Sequence, residues 1–230
     1  MPHIRELWTS QNERKWGEAL DSYWTVPSVV KNRELEMRFN HLDSAAIRVL
    51  SQRDWYDFLK DEYFVWKYTA KNRLASSRKH LRQYEAGNEL QELFAIKEQL
   101  FSFDLKDIRR GLAIAKGIKG LGYAGGSGLL SVLFPKWFGT ADQFVARALW
   151  ELELMPERQT LLKIRPEDLK EPDAVLLVDI MRRKASELNA LFHTDAWTPR
   201  KIDMVLWATR SSVTPDSNVV GLPVAKSLHL

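Results

Sequence analysis

The chain has 230 residues, 45% of them hydrophobic and 28% charged, with a formal net charge of +4 and a pI near 9.2. That is ordinary globular composition for one domain with a sizeable core, and it excludes disorder for the bulk of the chain. The absence of Cys excludes disulfides, zinc–cysteine sites and iron–sulfur clusters.

Helical periodicity dominates and strand signals are scarce. Ser10 is placed to cap a helix running to about Trp24, where Pro27 interrupts; a shorter helix follows from Asn32 to Leu42. Ser51 with Asp54 has the spacing of a capping box opening a helix through Trp66. A basic helix spans Ala70 to Glu85, stopped by Gly87, and the next spans Asn88 to Phe101. Asp104 is placed to cap a segment whose Leu105, Ile108, Leu112, Ala115 and Ile118 share one face. Gly120 and Gly122 end it, an apolar segment runs from Gly125 to Leu133, and Pro135 closes that. Asp142 opens a helix over Gln143 to Leu152. A long helix, Asp173 to Phe192, is expected to bury Leu177, Met181, Leu188 and Leu191. Thr198-Pro199 begins the last helix, to about Arg210, and a tail follows from Ser211.

The expectation is an all-α, two-lobed helical fold: one domain over 1–210 with its informative core at 104–152, and a C-terminal tail at 211–230. No apolar run follows Met1-Pro2-His3-Ile4-Arg5 in the manner of a signal peptide, and none is long enough to span a membrane. A cytoplasmic protein without membrane association or an obligate protein partner is therefore expected.

The charge is unevenly placed. Lys67, Lys71, Arg73, Arg78, Lys79 and Arg82 lie in a stretch without an acid. Such a run suits a phosphate-facing surface, or a solvated helix face balanced by acids elsewhere in the fold.

Gly120-Leu121-Gly122-Tyr123-Ala124-Gly125 has the letters of a dinucleotide fingerprint, but helical spacing precedes it where that fingerprint needs a strand. The other reading is a tight glycine turn between two helices, locked by Leu112, Ile118, Leu129 and Leu130. Backbone N–H groups beside the second helix would then hold a phosphate without reading sequence. Glycines at 125, 126 and 128 imply a close approach, by a phosphodiester or by another helix. Asp142 reads as a helix cap, as a catalytic carboxylate, or as both.

Together, Ile118-Lys119-Gly120-Leu121-Gly122, the helix to Phe134, the loop Pro135 to Ala141 and Asp142-Gln143-Phe144-Val145-Ala146-Arg147-Ala148-Leu149 resemble the helix-hairpin-helix (HhH-GPD) DNA glycosylases of the endonuclease III-like group. The resemblance implies a DNA glycosylase that acts on double-stranded DNA by base flipping. Asp142 would be its key carboxylate in hydrolysing an N-glycosidic bond. It implies a phosphate-binding hairpin at Lys119, Gly120, Leu121, Gly122, Tyr123, Gly125, Gly126 and Ser127. It places a base pocket or wedge near Tyr68, Lys71, Asn72 and Arg73. Bifunctional members carry a lysine two residues after the second hairpin glycine; Ala124 stands there, which implies no lyase activity of that kind. No cofactor is expected and no side-chain metal site, the one candidate being a monovalent cation on hairpin carbonyls. Two alternatives stay open: a non-catalytic DNA-binding protein, and a relative acting on an unusual nucleotide.

Overall fold

A computed structural model describes residues 3–209. Short helices open the chain: α1 (Ile4–Trp8), α2 (Glu13–Ser22), a 3-10 turn (Tyr23–Thr25), α3 (Pro27–Lys31), α4 (Arg33–Asn40) and α5 (Ser44–Arg48). α6 (Gln52–Asp57) continues through a π-helical stretch, Phe58–Tyr63, into α7 (Phe64–Lys67). Then come α8 (Lys71–Ala86), α9 (Leu90–Leu100), α10 (Ile108–Lys116), α11 (Tyr123–Leu133), α12 (Gln143–Trp150), α13 (Arg158–Leu161), α14 (Glu171–Phe192) and α15 (Pro199–Thr209). The described residues are all-α, with no strand among them. No helix among them is long and apolar enough to cross a membrane. The expected tail at 211–230 lies outside the described residues.

Most starts follow from capping chemistry, and three expected boundaries need correction. Asn12 caps α2, its Oδ1 accepting Lys15 N–H at 3.2 Å, while Ser10 Oγ accepts from Asn12 N–H. Asp107 caps α10, and Asp104 instead closes the preceding turn by accepting Lys106 N–H. Pro27 begins α3 rather than ending a helix, because its fixed φ suits a first turn. Ser51 caps α6 as expected, and its hydroxyl also donates to Asp54. α1, α5 and α13 are too short to show a period in sequence.

Two groups of helices share one continuous core. α6 to α9 pack among themselves; α10, α11, α12, α14 and α15 form the other group, and α2 returns from the N-terminus to lie on α15. Trp16, Trp55, Tyr56, Tyr63, Phe64 and Tyr84 are fully buried. Much of the aromatic content is therefore packing. Leu177, Met181 and Leu188 of α14 are buried as expected, whereas Leu191 is largely exposed. Arg182 and Lys184 are not on a solvated face. The Arg182 guanidinium donates to the carbonyls of Trp137, Lys106 and Leu105, and burial lowers its pKa. Lys184 Nζ donates to Trp8 O and lies over the Trp8 ring.

α10 and α11 pack directly on each other, with Leu112, Ile118, Leu129 and Leu130 fully buried. The chain reverses between them at Gly120, whose φ is +98°. A Cβ there would also meet Ser77 O of α8 at 2.6 Å. This turn is thus wedged against the basic helix, and only glycine fits it. We expect Gly120→Ala to destabilise the protein by about 1–3 kcal/mol from backbone strain, with the Ser77 clash added. Denaturant titration measures this; an unchanged midpoint would mean the turn is not held as described.

Candidate active site

Asp142 sits at the N-terminus of α12. Its Oδ1 accepts the N–H groups of Phe144 (2.9 Å) and Val145 (3.2 Å). Its Oδ2 lies 3.3 Å from Lys67 Nζ, and the two side chains are 14% and 11% exposed. One carboxylate therefore caps a helix and faces a cation.

The loop that delivers Asp142 is held at successive residues. A Cβ on Gly139 would be 2.5 Å from Pro199 O and 2.6 Å from Met181 Sδ. Thr140 N–H donates to Asp203 Oδ2 at 2.8 Å, and Thr140 Oγ1 lies 3.0 Å from Ser131 Oγ. Ala141 N–H donates to Ser127 Oγ at 2.9 Å, and that hydroxyl donates in turn to Ala141 O. These buried bonds leave Asp142 little freedom, the condition for a preorganised charge.

Asp142 lines a cavity of about 270 Å³. Tyr23, Trp66, Phe144 and Trp207 supply aromatic wall; Asn32, Glu36, Lys67, Arg200 and Asp203 supply polar groups. Arg200 Nη1 pairs with Asp203 Oδ2 at 2.8 Å, its Nη2 lies 3.9 Å from Glu36 Oε2, and its guanidinium stands 5.3 Å from the Trp66 ring centre. Burial disfavours the Arg200 cation, yet Asp203, Tyr23 and Glu36 raise its pKa above the usual value. Burial likewise pushes the Tyr23 hydroxyl up, and that hydroxyl donates to Glu36 at 2.9 Å. Ser28 Oγ and Trp66 Nε1 belong to residues lining this cavity and are buried without a hydrogen-bond partner. Such unsatisfied polar atoms cost stability unless a ligand or water engages them.

A second, shallower groove is lined by Tyr68, Arg73, Ser76, Ser77, His80, Gly120, Leu121 and Gly122. It joins the glycine turn to the start of the basic helix. Lys71, Arg73, Lys79 and Arg82 make no ion pair among the described residues, while Arg78 is held by Asp61 and Lys60 O. The segment 67–69 connects this groove to the Asp142 cavity. Tyr68 is extended (φ −114°, ψ 87°), so its neighbours point the other way. Lys67 and Thr69 line the Asp142 cavity, and Tyr68 lines the groove, its hydroxyl donating to Gly120 O at 3.3 Å. Burial raises the Tyr68 pKa.

No family model matches this chain. No curated protein and no solved structure matches it either.

The expected site residues separate into groups. Gly122 is exposed, and Lys119, Gly120 and Tyr123 are half-buried around the turn. Gly125, Gly126 and Ser127 are buried, so they offer no surface to a phosphate, while the largely buried Leu121 borders the groove. Ser127 is tied to Ala141, and Gly126 admits α10, a Cβ there falling 3.2 Å from Ala115 Cβ. Gly125 makes room for the Tyr68 hydroxyl. The close approach that these glycines permit is therefore made by protein. Lys119 does not present a free charge: its Nζ pairs with Glu89 and lies over the Tyr84 ring, and Glu89 raises its pKa. Tyr123 OH lies 3.5 Å from Glu171.

Tyr68, Lys71, Asn72 and Arg73 do not line the Asp142 cavity. Lys71, Asn72 and Arg73 are exposed at the start of α8, and Asn72 Oδ1 accepts Arg73 N–H. Trp66, Lys67, Glu36 and Arg200 take the cavity instead, and the sequence hid their roles. Lys67 is the first member of the acid-free basic run. Glu36 alternates with Arg33, Glu34 and Arg38 as a solvated helix would, and Arg200-Lys201 reads as surface. Asp203 is buried and pairs with Arg200.

The hairpin carbonyls meet protein donors. Gly117 O accepts from Tyr84, Ile118 O from Leu121 N–H and Gly120 O from Tyr68. No cluster of three or more His, Asp or Glu side chains suited to a metal occurs among the described residues. Another cavity, of about 370 Å³, lies against α1, the 152–157 loop and α14 and shares no lining residue with that of Asp142.

Asp203→Ala leaves Arg200 a buried cation without its closest partner and Thr140 N–H without an acceptor. We expect a loss of about 3–5 kcal/mol, the range for breaking a buried ion pair. Equilibrium unfolding checks it, and a loss below about 1 kcal/mol, the level of an exposed pair, would contradict the description.

Proposed function

We propose that this protein removes a base from double-stranded DNA by hydrolysing its N-glycosidic bond, with Asp142 as the reacting-side carboxylate. The observation that carries the reading is a rigidly held carboxylate lining an aromatic-walled cavity, one short segment away from a groove that joins a glycine turn to the unpaired Arg73.

The parts suit the chemistry. As the base departs, positive charge develops on the sugar, and a fixed carboxylate beside C1′ stabilises it and orients water. A flipped base needs aromatic walls and polar edge groups. The cavity has both, including the unpartnered Trp66 Nε1 and Ser28 Oγ. Lys71, Arg73, Lys79 and Arg82 supply charge for the phosphodiester backbone, and the turn beside Gly122 presents the first N–H groups of α11. The same features support the likeness to helix-hairpin-helix DNA glycosylases.

The Lys67–Asp142 pair favours a second reading, DNA binding without turnover. The ammonium offsets the negative charge that a cationic sugar would meet. Asp142→Asn separates the two, because asparagine caps a helix as well as aspartate does and only the charge is lost. We expect the wild type to release a base from at least one member of a panel of damaged or mispaired duplexes. Asp142→Asn should slow that release by about 10²-fold or more while keeping the fold. A wild type that binds duplex yet releases no base from any member would leave the second reading standing.

The cations of α8 give an independent test. Lys71→Ala and Arg73→Ala should weaken duplex binding about equally across sequences and each lower the slope of log K against log salt by about 1. Fluorescence anisotropy at several salt concentrations measures both. Unchanged slopes would place the DNA on another face.

A further inference from the structure

We infer that the protein has a second binding site, separate from Asp142, for a small neutral aromatic molecule carrying one N–H or O–H donor. The site is the cavity of about 370 Å³ at the far end of α12. Asp142 caps one end of that helix, and Leu152, a lining residue, lies just past the other. The inference does not depend on what Asp142 does. Local sequence explains the walls. Arg5, Trp8 and Thr9 recur at i, i+3 and i+4 and share one face of the segment that α1 begins. Ile180, Arg183, Lys184 and Glu187 recur at the same spacing on α14. The loop 152–157 supplies the rest, and Arg5 fastens it to α1 by pairing with Glu153 at 3.0 Å.

The lining sets the chemistry of the occupant. Trp8, Leu152, Met155, Pro156 and Ile180 make it largely apolar. Its charges are matched within the protein: Arg5 with Glu153, Arg183 with Glu157, and Lys184 with Glu187. A charged ligand would lose hydration and meet no free countercharge, so a neutral one fits. One polar atom stands apart. Glu157 Oε1 accepts from Arg183, but Oε2 is buried and has no hydrogen-bond partner among the described residues. An unpaired buried acceptor costs stability until a donor reaches it, and here the ligand supplies that donor. The Trp8 indole is held in place for ring contact. Lys184 Nζ donates to Trp8 O and lies 4.6 Å from its ring centre, and the Trp16 ring stands 6.2 Å away. Fixed indoles and methionine thioethers both favour aromatic neighbours. The volume falls near the lower end of the range for small-molecule sites, about 300–1,000 Å³, which suits one or two rings.

Calorimetric titration of the full chain with indole, 1-methylindole and indole-3-acetate tests each part. Indole should bind saturably. 1-Methylindole keeps the rings and loses the donor, so it should bind about tenfold more weakly, and the anionic indole-3-acetate more weakly than indole. Glu157→Gln should erase the preference for indole over 1-methylindole. Arg183 would keep the amide oxygen, which puts the amide nitrogen, a donor, in the place of Oε2. Thr9 is exposed at the cavity, so Thr9→Trp should fill it from outside and abolish binding. Carbon-13 spectra of the methionine methyl groups locate the ligand on the wild type: indole should shift Met155 and leave Met37 of α4 in place. The inference is overturned if neither neutral compound binds, if the two bind equally, if indole-3-acetate binds most tightly, or if Met155 does not shift. These four readings use only the wild type, so they stand even where a variant fails to fold.

Discussion

The Asp203 carboxylate organises the site. Its Oδ2 is shared by Thr140 N–H and the Arg200 guanidinium, so one oxygen ties α15 to the loop that ends in Asp142. Arg200 extends the tie toward Glu36 of α4 and the Trp66 ring of α7. A buried charge is tolerated only where partners surround it. Here the partners come from the start, middle and end of the chain, so the cavity forms only when all of them are in place. Its polar lining is a consequence of how the fold closes, and that lining also faces any ligand.

The second constraint is the width of α11. Glycine at 125, 126 and 128 makes it a thin helix, and four neighbours use the space. Tyr68 stands over Gly125, α10 approaches at Gly126, and Lys67 and Tyr63 lie against Gly128. A glycine in a helix interior costs about 1 kcal/mol against alanine, and close packing offsets that cost. The positions that weaken the helix in isolation are those that bring α10 and the side chains of Tyr63, Lys67 and Tyr68 within contact distance. Arg182 adds a third fixture from α14, binding the carbonyls before α10 and after α11 together.

Much of the helical layout was legible because its signals are local. The α6 cap at Ser51, the stop at Gly87, the break between α10 and α11 and the start of α12 at Asp142 each depend on a few neighbouring residues. The misplaced starts are also local in cause. Asn12 and Asp107 each had a competing polar residue two or three positions upstream, and both members of each pair accept backbone N–H bonds, one closing a turn and the other the helix. Asp142 as a helix cap and the turn at Gly120 were legible because caps and positive-φ turns restrict residue type strongly. That Gly125 and Gly126 face packed protein was not legible, since a glycine admits a phosphate and a packed neighbour equally well.

What the sequence determined by itself is an all-helical chain with a glycine turn, a capping aspartate and an acid-free basic segment, because each is encoded by residues close together. What only the tertiary structure decided is which side chains share a cavity with that aspartate. Lys67, Glu36, Arg200 and Asp203 are separated by up to 167 positions (36 to 203), and each reads locally as an ordinary helix residue. Their burial and pairing arise from packing α4, α7 and α15 around one loop, and packing between distant segments leaves no local periodicity to read.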